Sequence, residues 1–144
     1  MIEKMQPWLY LWLLSIGAGH ALLGIALALG GQASLLAPYF DYLLGQFGLH
    51  GAGAETRVLA QTLIQLFGPT VASWGLLFCC LIYLYRRHGE ALIKLSLFAA
   101  LLLWLPLDCL ISAAHGLYWH VYLNLGAGLL IALPLALFKP RLTP

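Results

Sequence analysis

Charged side chains are scarce in this 144-residue chain: they make up 8% of it, whereas a soluble domain carries about 25%. Hydrophobic residues make up 62% of the chain. Water could not solvate that much apolar surface, so lipid must be the solvent for most of the protein. The net charge is only +2, and no basic run is longer than Arg86-Arg87, which argues against a nucleic-acid partner.

Cysteine is rare as well, and its spacing excludes most of the chemistry for which proteins use it. The three cysteines form no CxxC pair and no zinc-ligand spacing. Cys79 and Cys80 would point about 100° apart on a helix, so they could not chelate one metal ion well. We interpret these two residues and Cys109 as small apolar residues in helix interfaces, and a thiol-redox enzyme is disfavoured.

Four apolar runs have the length of about 20 residues that a helix needs to cross a hydrocarbon core about 30 Å thick. They predict membrane-spanning helices over approximately residues 8–29, 58–85, 91–114 and 119–138. The breaks between them fall at Gly30-Gly31, Arg86-Arg87-His88-Gly89 and His115-Gly116. The predicted fold class is therefore an all-α membrane protein, a bundle of four transmembrane helices that forms a single domain over residues 1–144.

The positive residues predict how the bundle is oriented, since short loops rich in Lys and Arg stay in the cytoplasm. Only Arg57 falls on the side of the first outer loop. We therefore expect both termini to be cytoplasmic. A cleaved signal peptide is the rival interpretation of the N-terminus, but the apolar run continues to Leu29, beyond the length of a signal core. The positive residues on the predicted cytoplasmic side are Lys4, Arg86, Arg87, Lys94, Lys139 and Arg141.

The first outer loop, residues 30–56, is long for so small a protein, and its centre is apolar with few charges. Apolar residues recur there at helical spacing, which predicts an amphipathic segment along the outer membrane–water interface. A lid over a cavity is the functional alternative. The residues at helical spacing are Leu36, Phe40, Leu43, Leu44 and Phe47.

Polar residues recur on one face of each predicted transmembrane helix, accompanied by small residues that favour close helix packing. Ionisable groups in hydrocarbon cost about 2.5–3.5 kcal/mol each on insertion scales, so they need a partner or a function. We expect these faces to point inward and to form a ligand-binding site. The candidate site residues are His20, Gln61, Gln65, Trp104, Asp108, Ser112 and Asn124.

These polar residues are concentrated in one half of the membrane. With a rise of about 1.5 Å per residue, His20, Gln65, Asp108 and Asn124 all fall in the outer half of the hydrocarbon core. Pro69 and the proline at position 106 also lie near this layer, and each leaves a backbone carbonyl without its helical donor. The sequence thus predicts an apolar cytoplasmic half and a polar outer half beneath the interfacial segment.

The leading functional hypothesis is a binding module whose outward-facing polar pocket holds an amphipathic molecule such as a lipid, a quinone or a sterol-like compound. The same pocket could serve an accessory subunit of a larger membrane complex, or a homodimer. Membrane lipids are expected partners in either case. A purely structural role for the Gln, Ser and Asn side chains, as hydrogen bonds between helices, remains open.

Two chemical alternatives both use His20. In an isomerase or hydrolase of lipidic substrates, His20 and Asp108 would form an acid–base pair. In a haem protein, His20 with His115 or His120 would supply two axial ligands. No catalytic signature such as HExxH or a nucleophile elbow is present, so no catalytic residue, metal site or cofactor is assigned. Proton-coupled transport would require a dimer, since four helices rarely enclose a path.

In size and number of helices the chain is similar to several small bacterial four-helix membrane families, including DoxX-like proteins. The likeness covers architecture alone, and no residue role is carried over from it. The expected location is the inner (plasma) membrane of a bacterium.

Overall fold

The computed structural model describes residues 2–30, 36–51 and 53–140, the side chains of residues 2–4 excepted. Within these ranges the chain is helical, with no strand. Four helices are long and apolar enough to cross a membrane, which confirms the predicted membrane protein with four spanning helices. The second helix has only 10 residues and is too short to cross a membrane. The helices are α1 (Ile2–Gly30), α2 (Ala37–Gln46), α3 (Ala54–His88), α4 (Ala91–Ala114) and α5 (Tyr118–Leu137).

Two of these helices are longer than the apolar runs that predicted them. α1 begins six residues before the predicted residue 8, and α3 extends beyond 58–85 at both of its ends. The additional turns contain polar residues, including Glu55 and Arg87, that lie outside the apolar runs. Hydropathy marks the segment that lipid surrounds, whereas the hydrogen-bonded helix continues into the polar region on either side. Each spanning helix also continues through an internal proline.

Two glycines end helices by adopting a left-handed conformation that side-chain-bearing residues rarely reach. Gly89 has φ of +71°, and its N–H donates to the carbonyl of Tyr85 at the end of α3. Gly116 has φ of +72° in the turn after α4, where the N–H of Leu117 donates to the carbonyl of Ser112 at 2.8 Å. These short turns make α4 run antiparallel to both α3 and α5.

The spanning helices form a closed ring in which α1 packs against α3 and α5, and α4 packs against the same two helices. Within the described chain, the backbones of α1 and α4 do not come close to each other, so these two helices lie diagonally across the bundle. The Nε2 of Gln6 donates to the carbonyl of Leu137 at 3.2 Å, and the Oε1 of Gln6 accepts from the backbone N–H of Lys139 at 2.8 Å. The start of α1 and the end of α5 thus lie together, at what we call the termini end; the opposite end, which carries α2, is the α2 end.

The apolar core lies in the half of the bundle nearest the termini end. Its members come from the first halves of α1 and α4, from the second halves of α3 and α5, and from Phe138 just after α5. Which side of a membrane this half faces stays a prediction. Arg141 and the side chain of Lys4, two of the positive residues behind that prediction, lie outside the described structure. The core residues are Leu13, Phe78, Ile82, Tyr85, Leu97, Leu101, Ile131, Leu135 and Phe138.

Small residues hold α1 and α3 at close range. A Cβ atom on Gly75 would lie 2.5 Å from the carbonyl oxygen of Gly17, and one on Gly17 would lie 3.0 Å from the carbonyl oxygen of Gly75. Real Cβ atoms do not approach backbone atoms to 2.5 Å, so Gly75 requires glycine, while at Gly17 a Cβ atom would also lie 2.5 Å from the Sγ of Cys79. Membrane helices commonly pack through small residues in this way, because lipid supplies no hydrophobic force between them.

The segment between α1 and α3 contains α2, whose Phe40 and Leu44 are buried while Asp41 on the other face is exposed. The helical spacing of apolar residues in this loop therefore does correspond to a helix with one packed face. An ion pair between Asp41 and Arg57 joins α2 to the first turn of α3. Residues 31–35, which include part of the predicted interfacial segment, lie outside the described ranges, and the position of α2 at a membrane interface remains a prediction.

Candidate functional site

Asp108 is a half-buried acidic residue in the interior of α4, about one and a half turns from the α2 end. Its Oδ2 accepts a hydrogen bond of 3.1 Å from the indole Nε1 of Trp104, and its Oδ1 accepts one of 3.3 Å from the hydroxyl of Ser112. The three residues are spaced four apart, so they share one face of α4. The helix itself therefore holds the carboxyl group in a fixed orientation.

Asn124 of α5 adds an unpaired donor to this region. Its Nδ2 is buried and has no hydrogen-bond partner. Gly128 of α5 lies directly against the side chain of Leu105 of α4, since a Cβ atom on Gly128 would contact that side chain. This contact shows which residues of the two helices lie at the same level. Counting four residues from both towards the α2 end places Asn124 level with Cys109, next to Asp108, since antiparallel helices advance equally in opposite directions. A buried amide without a partner costs about 1–3 kcal/mol, so this position favours a further acceptor.

Tyr39 of α2 extends this group and was not among the predicted site residues. Its ring stacks on that of His120 in α5, with centroids 5.7 Å apart and planes 8° apart. Burial raises the pKa of the Tyr39 hydroxyl, and the negative charge of Asp108 raises it further, followed by that of Tyr42. The hydroxyl therefore stays protonated and available as a donor near the carboxyl group. The sequence signal was the pair Tyr39 and Tyr42, whose polar-tipped rings share one face of α2.

His20 lies in a different part of the bundle. Its Nδ1 is 2.8 Å from the carbonyl oxygen of Ile16, and its ring meets that of Trp74 edge-on at 4.8 Å. His20 belongs to α1 and Asp108 to α4, two helices that lie diagonally across the bundle, and the described hydrogen bonds of Asp108 join it to Trp104 and Ser112 instead. The structure therefore does not bring the two side chains of the acid–base hypothesis into hydrogen-bond contact.

The two predicted glutamines lie on α3, and Gln65 bonds to α1. The Nε2 of Gln65 donates to the carbonyl of Ala28 on α1 at 3.5 Å, which is a long hydrogen bond across the α1–α3 contact. Gln61 is half-buried one turn earlier on α3. The seven predicted residues thus divide into two groups: Trp104, Asp108, Ser112 and Asn124 on α4 and α5, and His20, Gln61 and Gln65 on α1 and α3.

The histidines named in the haem hypothesis have separate aromatic neighbours. His115 lies against Phe47, with ring centroids 5.3 Å apart, while His120 stacks on Tyr39 and His20 contacts Trp74. Within residues 2–30, 36–51 and 53–140, no cluster of three or more His, Cys, Asp or Glu side chains could hold a metal ion.

A small cleft opens on the α2 end, outside both groups of polar residues. It has a volume of about 220 Å³, below the roughly 300–1,000 Å³ of typical small-molecule pockets. The cleft contains the Asp41–Arg57 ion pair and none of the predicted site residues. Its lining consists of Asp41, Leu44, Leu49, His50, Gly51 and Arg57.

No protein-family model, curated protein sequence or solved structure matches this chain. Its function must therefore be argued from its own residues. The four long apolar helices make it a small integral membrane protein. The polar groups around Asp108 are the feature of that protein with the clearest capacity to bind another molecule.

Proposed function

We propose that this protein binds an amphipathic molecule, lipid-like or quinone-like, at a polar site formed by α4, α5 and α2 near the α2 end. The site, which we call the Asp108 site, consists of Trp104, Asp108, Ser112, Asn124 and Tyr39. The observation that carries the proposal is the Asp108 carboxyl group, which lies inside a membrane-spanning helix and, among the described residues, accepts hydrogen bonds only from the neutral groups of Trp104 and Ser112.

The energetics of an acidic group in this position support a binding role. In the part of the chain that the structure describes, the one ion pair is Asp41–Arg57, so no cation neutralises Asp108. An acidic side chain in hydrocarbon is costly, and two neutral donors from the same helix offset that cost only in part. Its remaining lone pairs can accept a hydrogen bond from a hydroxyl-bearing head group.

The hydrogen-bond donors around Asp108 can bind an acceptor on the same head group. The Nδ2 of Asn124 has no partner, and the Tyr39 hydroxyl is held protonated. Both can donate to a carbonyl oxygen. Asn124 lies six residues into α5, about 9 Å below its start, where a neutral head group fits better than a charged one. The indole of Trp104 supplies an apolar wall.

We also propose how the protein is oriented and in which membrane it lies. The α2 end faces the outside, both termini lie in the cytoplasm, and the membrane is the inner membrane of a bacterium. The support is the distribution of cations: within the described structure, Arg86, Arg87, Lys94 and Lys139 lie towards the termini end, and Arg57 lies at the α2 end. In this orientation α2, whose Tyr39 stacks on His120, covers the site on its outer side.

Native mass spectrometry of the purified protein, followed by extraction of its lipids, tests the binding role. We expect a bound neutral molecule whose mass identifies it as a quinone or a lipid. Asp108→Asn keeps the shape and one acceptor oxygen but removes the charge, and it should reduce occupancy by about tenfold, the effect of one lost charge-assisted hydrogen bond.

Ser73→Ala is the matched control, because Ser73 is exposed on α3 and away from the site. Its occupancy should equal that of the wild type. If the protein carries no bound molecule, or if Asp108→Asn and Ser73→Ala retain the same amount, the Asp108 site is not a ligand site. Co-purification of a protein partner in place of a small molecule would favour an accessory subunit.

A further inference from the structure

The termini end carries a group of cations that form no ion pair with a described acidic side chain. Arg86 lies in the last turn of α3, Lys94 in the first turn of α4, and Lys139 follows α5. Within the described residues none of the three forms an ion pair, and the exposed Glu90 nearby does not pair with them. At the opposite end, by contrast, Arg57 is paired with Asp41. No described acidic side chain therefore neutralises these three cations.

Aromatic rings hold two of these cations in defined positions. The guanidinium carbon of Arg86 lies 3.8 Å from the centre of the Tyr10 ring, and the Nζ of Lys94 lies 5.6 Å from the centre of the Tyr85 ring. Phe138 joins the two tyrosines, since its ring centroid is 6.0 Å from that of Tyr10 and 5.7 Å from that of Tyr85. Such contacts orient a cation without neutralising it.

Lys94 is fixed further by the end of α5. Its Nζ donates to the carbonyls of Ala136 at 2.9 Å and of Phe138 at 3.0 Å, where the negative end of the helix dipole lies. Its third N–H is left to donate elsewhere. Lys139 is near enough for the two ammonium groups to repel each other. An anion placed between the two ammonium groups would turn this repulsion into attraction.

We propose that the termini end binds the head group of an anionic phospholipid at a site formed by Arg86, Lys94 and Lys139 around the rings of Tyr10, Tyr85 and Phe138. The phosphate accepts hydrogen bonds from the guanidinium and ammonium groups. This site is separate from the Asp108 site and does not depend on it.

A lipid is favoured over a soluble anion because of where the cations lie. They sit at the ends of helices that span the membrane, at the level of the lipid head groups. Apolar side chains flank them on the outer surface of the bundle: Leu92 is 69% exposed and Leu137 is 45% exposed. Acyl chains attached to a bound head group would cover these leucines, which a free phosphate ion could not do.

The full-length protein in a neutral detergent serves for the test, with phosphatidylglycerol, phosphatidylcholine and inorganic phosphate as probes. Native mass spectrometry measures lipid binding, and thermal unfolding measures protection. We expect phosphatidylglycerol to bind at least about tenfold more tightly than phosphatidylcholine. The double variant Arg86→Gln with Lys139→Gln should lose about tenfold in phosphatidylglycerol affinity and keep its weak affinity for phosphatidylcholine.

Two controls separate a specific site from general effects. Arg57→Gln removes a cation at the opposite end and should leave phosphatidylglycerol binding unchanged. Arg86→Lys keeps the charge and should retain most of the binding, even where loss of the Tyr10 contact lowers the unfolding temperature. Equal binding of both lipids, equal protection by inorganic phosphate, or an equal loss in Arg57→Gln would each overturn the proposal.

Discussion

Gly24 of α1 and Gly68 of α3 lie backbone against backbone. A Cβ atom on Gly24 would lie 2.5 Å from the carbonyl oxygen of Gly68, and one on Gly68 would lie 2.6 Å from the carbonyl oxygen of Gly24. Each glycine thus directs a Cα–H towards the other's carbonyl, a weak but reciprocal hydrogen bond. The Gly17–Gly75 pair repeats the arrangement seven residues, or two turns, nearer the termini end.

This contact predicts that a single methyl group will separate α1 from α3. Gly24→Ala and Gly68→Ala should each lower the free energy of unfolding by about 1–3 kcal/mol, because the obstructing atoms are backbone atoms that cannot rotate away. Reversible unfolding in mixed micelles, followed by circular dichroism, measures the change.

Gly19→Ala is the control within the same helix, since a Cβ atom there would meet nothing within 4 Å. It should be neutral or slightly stabilising, because alanine favours a helix more than glycine does. If all three alanine variants unfold alike, the close approach of the two backbones does not hold the helices together.

Asp108 should matter for stability as well as for binding. In Asp108→Ala the indole N–H of Trp104 and the hydroxyl of Ser112 lose their acceptor, and Ser112 is only 2% exposed. We expect a loss of about 1–3 kcal/mol in the free energy of unfolding. Ser73→Ala, on an exposed position of α3, should change it by less than about 0.5 kcal/mol. Equal and negligible effects in detergent melting curves would contradict a coupled polar group.

The four spanning helices could be predicted from the sequence because lipid imposes one requirement on every residue of a span. α4 illustrates this, since its apolar run of 91–114 coincides with the helix Ala91–Ala114. The local spacing within α4 also grouped Trp104, Asp108 and Ser112 on one face, and hydrogen bonds join them. Contacts four residues apart follow from the geometry of a single helix.

Contacts between helices could not be predicted in the same way. Depth alone placed His20 and Asp108 in one layer, but α1 and α4 lie diagonally in the bundle, and His20 contacts Trp74 of α3 instead. Equal depth does not fix which helices are neighbours. Tyr39 was missed for a related reason: its stacking on His120 depends on how α2 folds back over α5, which periodicity within the loop does not specify.

The raised pKa of Tyr39 predicts a loss of stability in alkali. Burial and the charge of Asp108 disfavour the phenolate, so the folded state holds this proton more tightly than the unfolded state does. The resulting stability is complete below the ordinary tyrosine pKa of about 10 and is lost as the pH rises through the raised value. Unfolding measured at about pH 8 and about pH 11 should show this loss in the wild type and a smaller one in Tyr39→Phe.

Tyr118→Phe is the control for alkaline unfolding, since Tyr118 is 59% exposed at the start of α5. It should lose as much stability as the wild type. Asp108→Asn should also reduce the alkaline loss, because it removes the negative charge that opposes ionisation of Tyr39. If Tyr39→Phe and Tyr118→Phe behave alike, Tyr39 is not held beside Asp108.

The predicted orientation can be tested by labelling single cysteines from outside the cell. The loop glycines Gly51 and Gly89 are unsuitable positions, because their φ angles of +74° and +71° would strain a cysteine. Glu55 and His88 are exposed helical residues close to these glycines and at opposite ends of α3, so each can carry the probe without backbone strain.

The background for this labelling must lack the three native cysteines, of which Cys80 is exposed. In that background a membrane-impermeant maleimide added to intact spheroplasts should react with Glu55→Cys and not with His88→Cys. Permeabilised membranes should allow both to react, which shows that the second thiol is accessible once the reagent crosses. Labelling of His88→Cys alone in intact spheroplasts would place the termini end outside and reverse the orientation, because α3 spans the membrane only once.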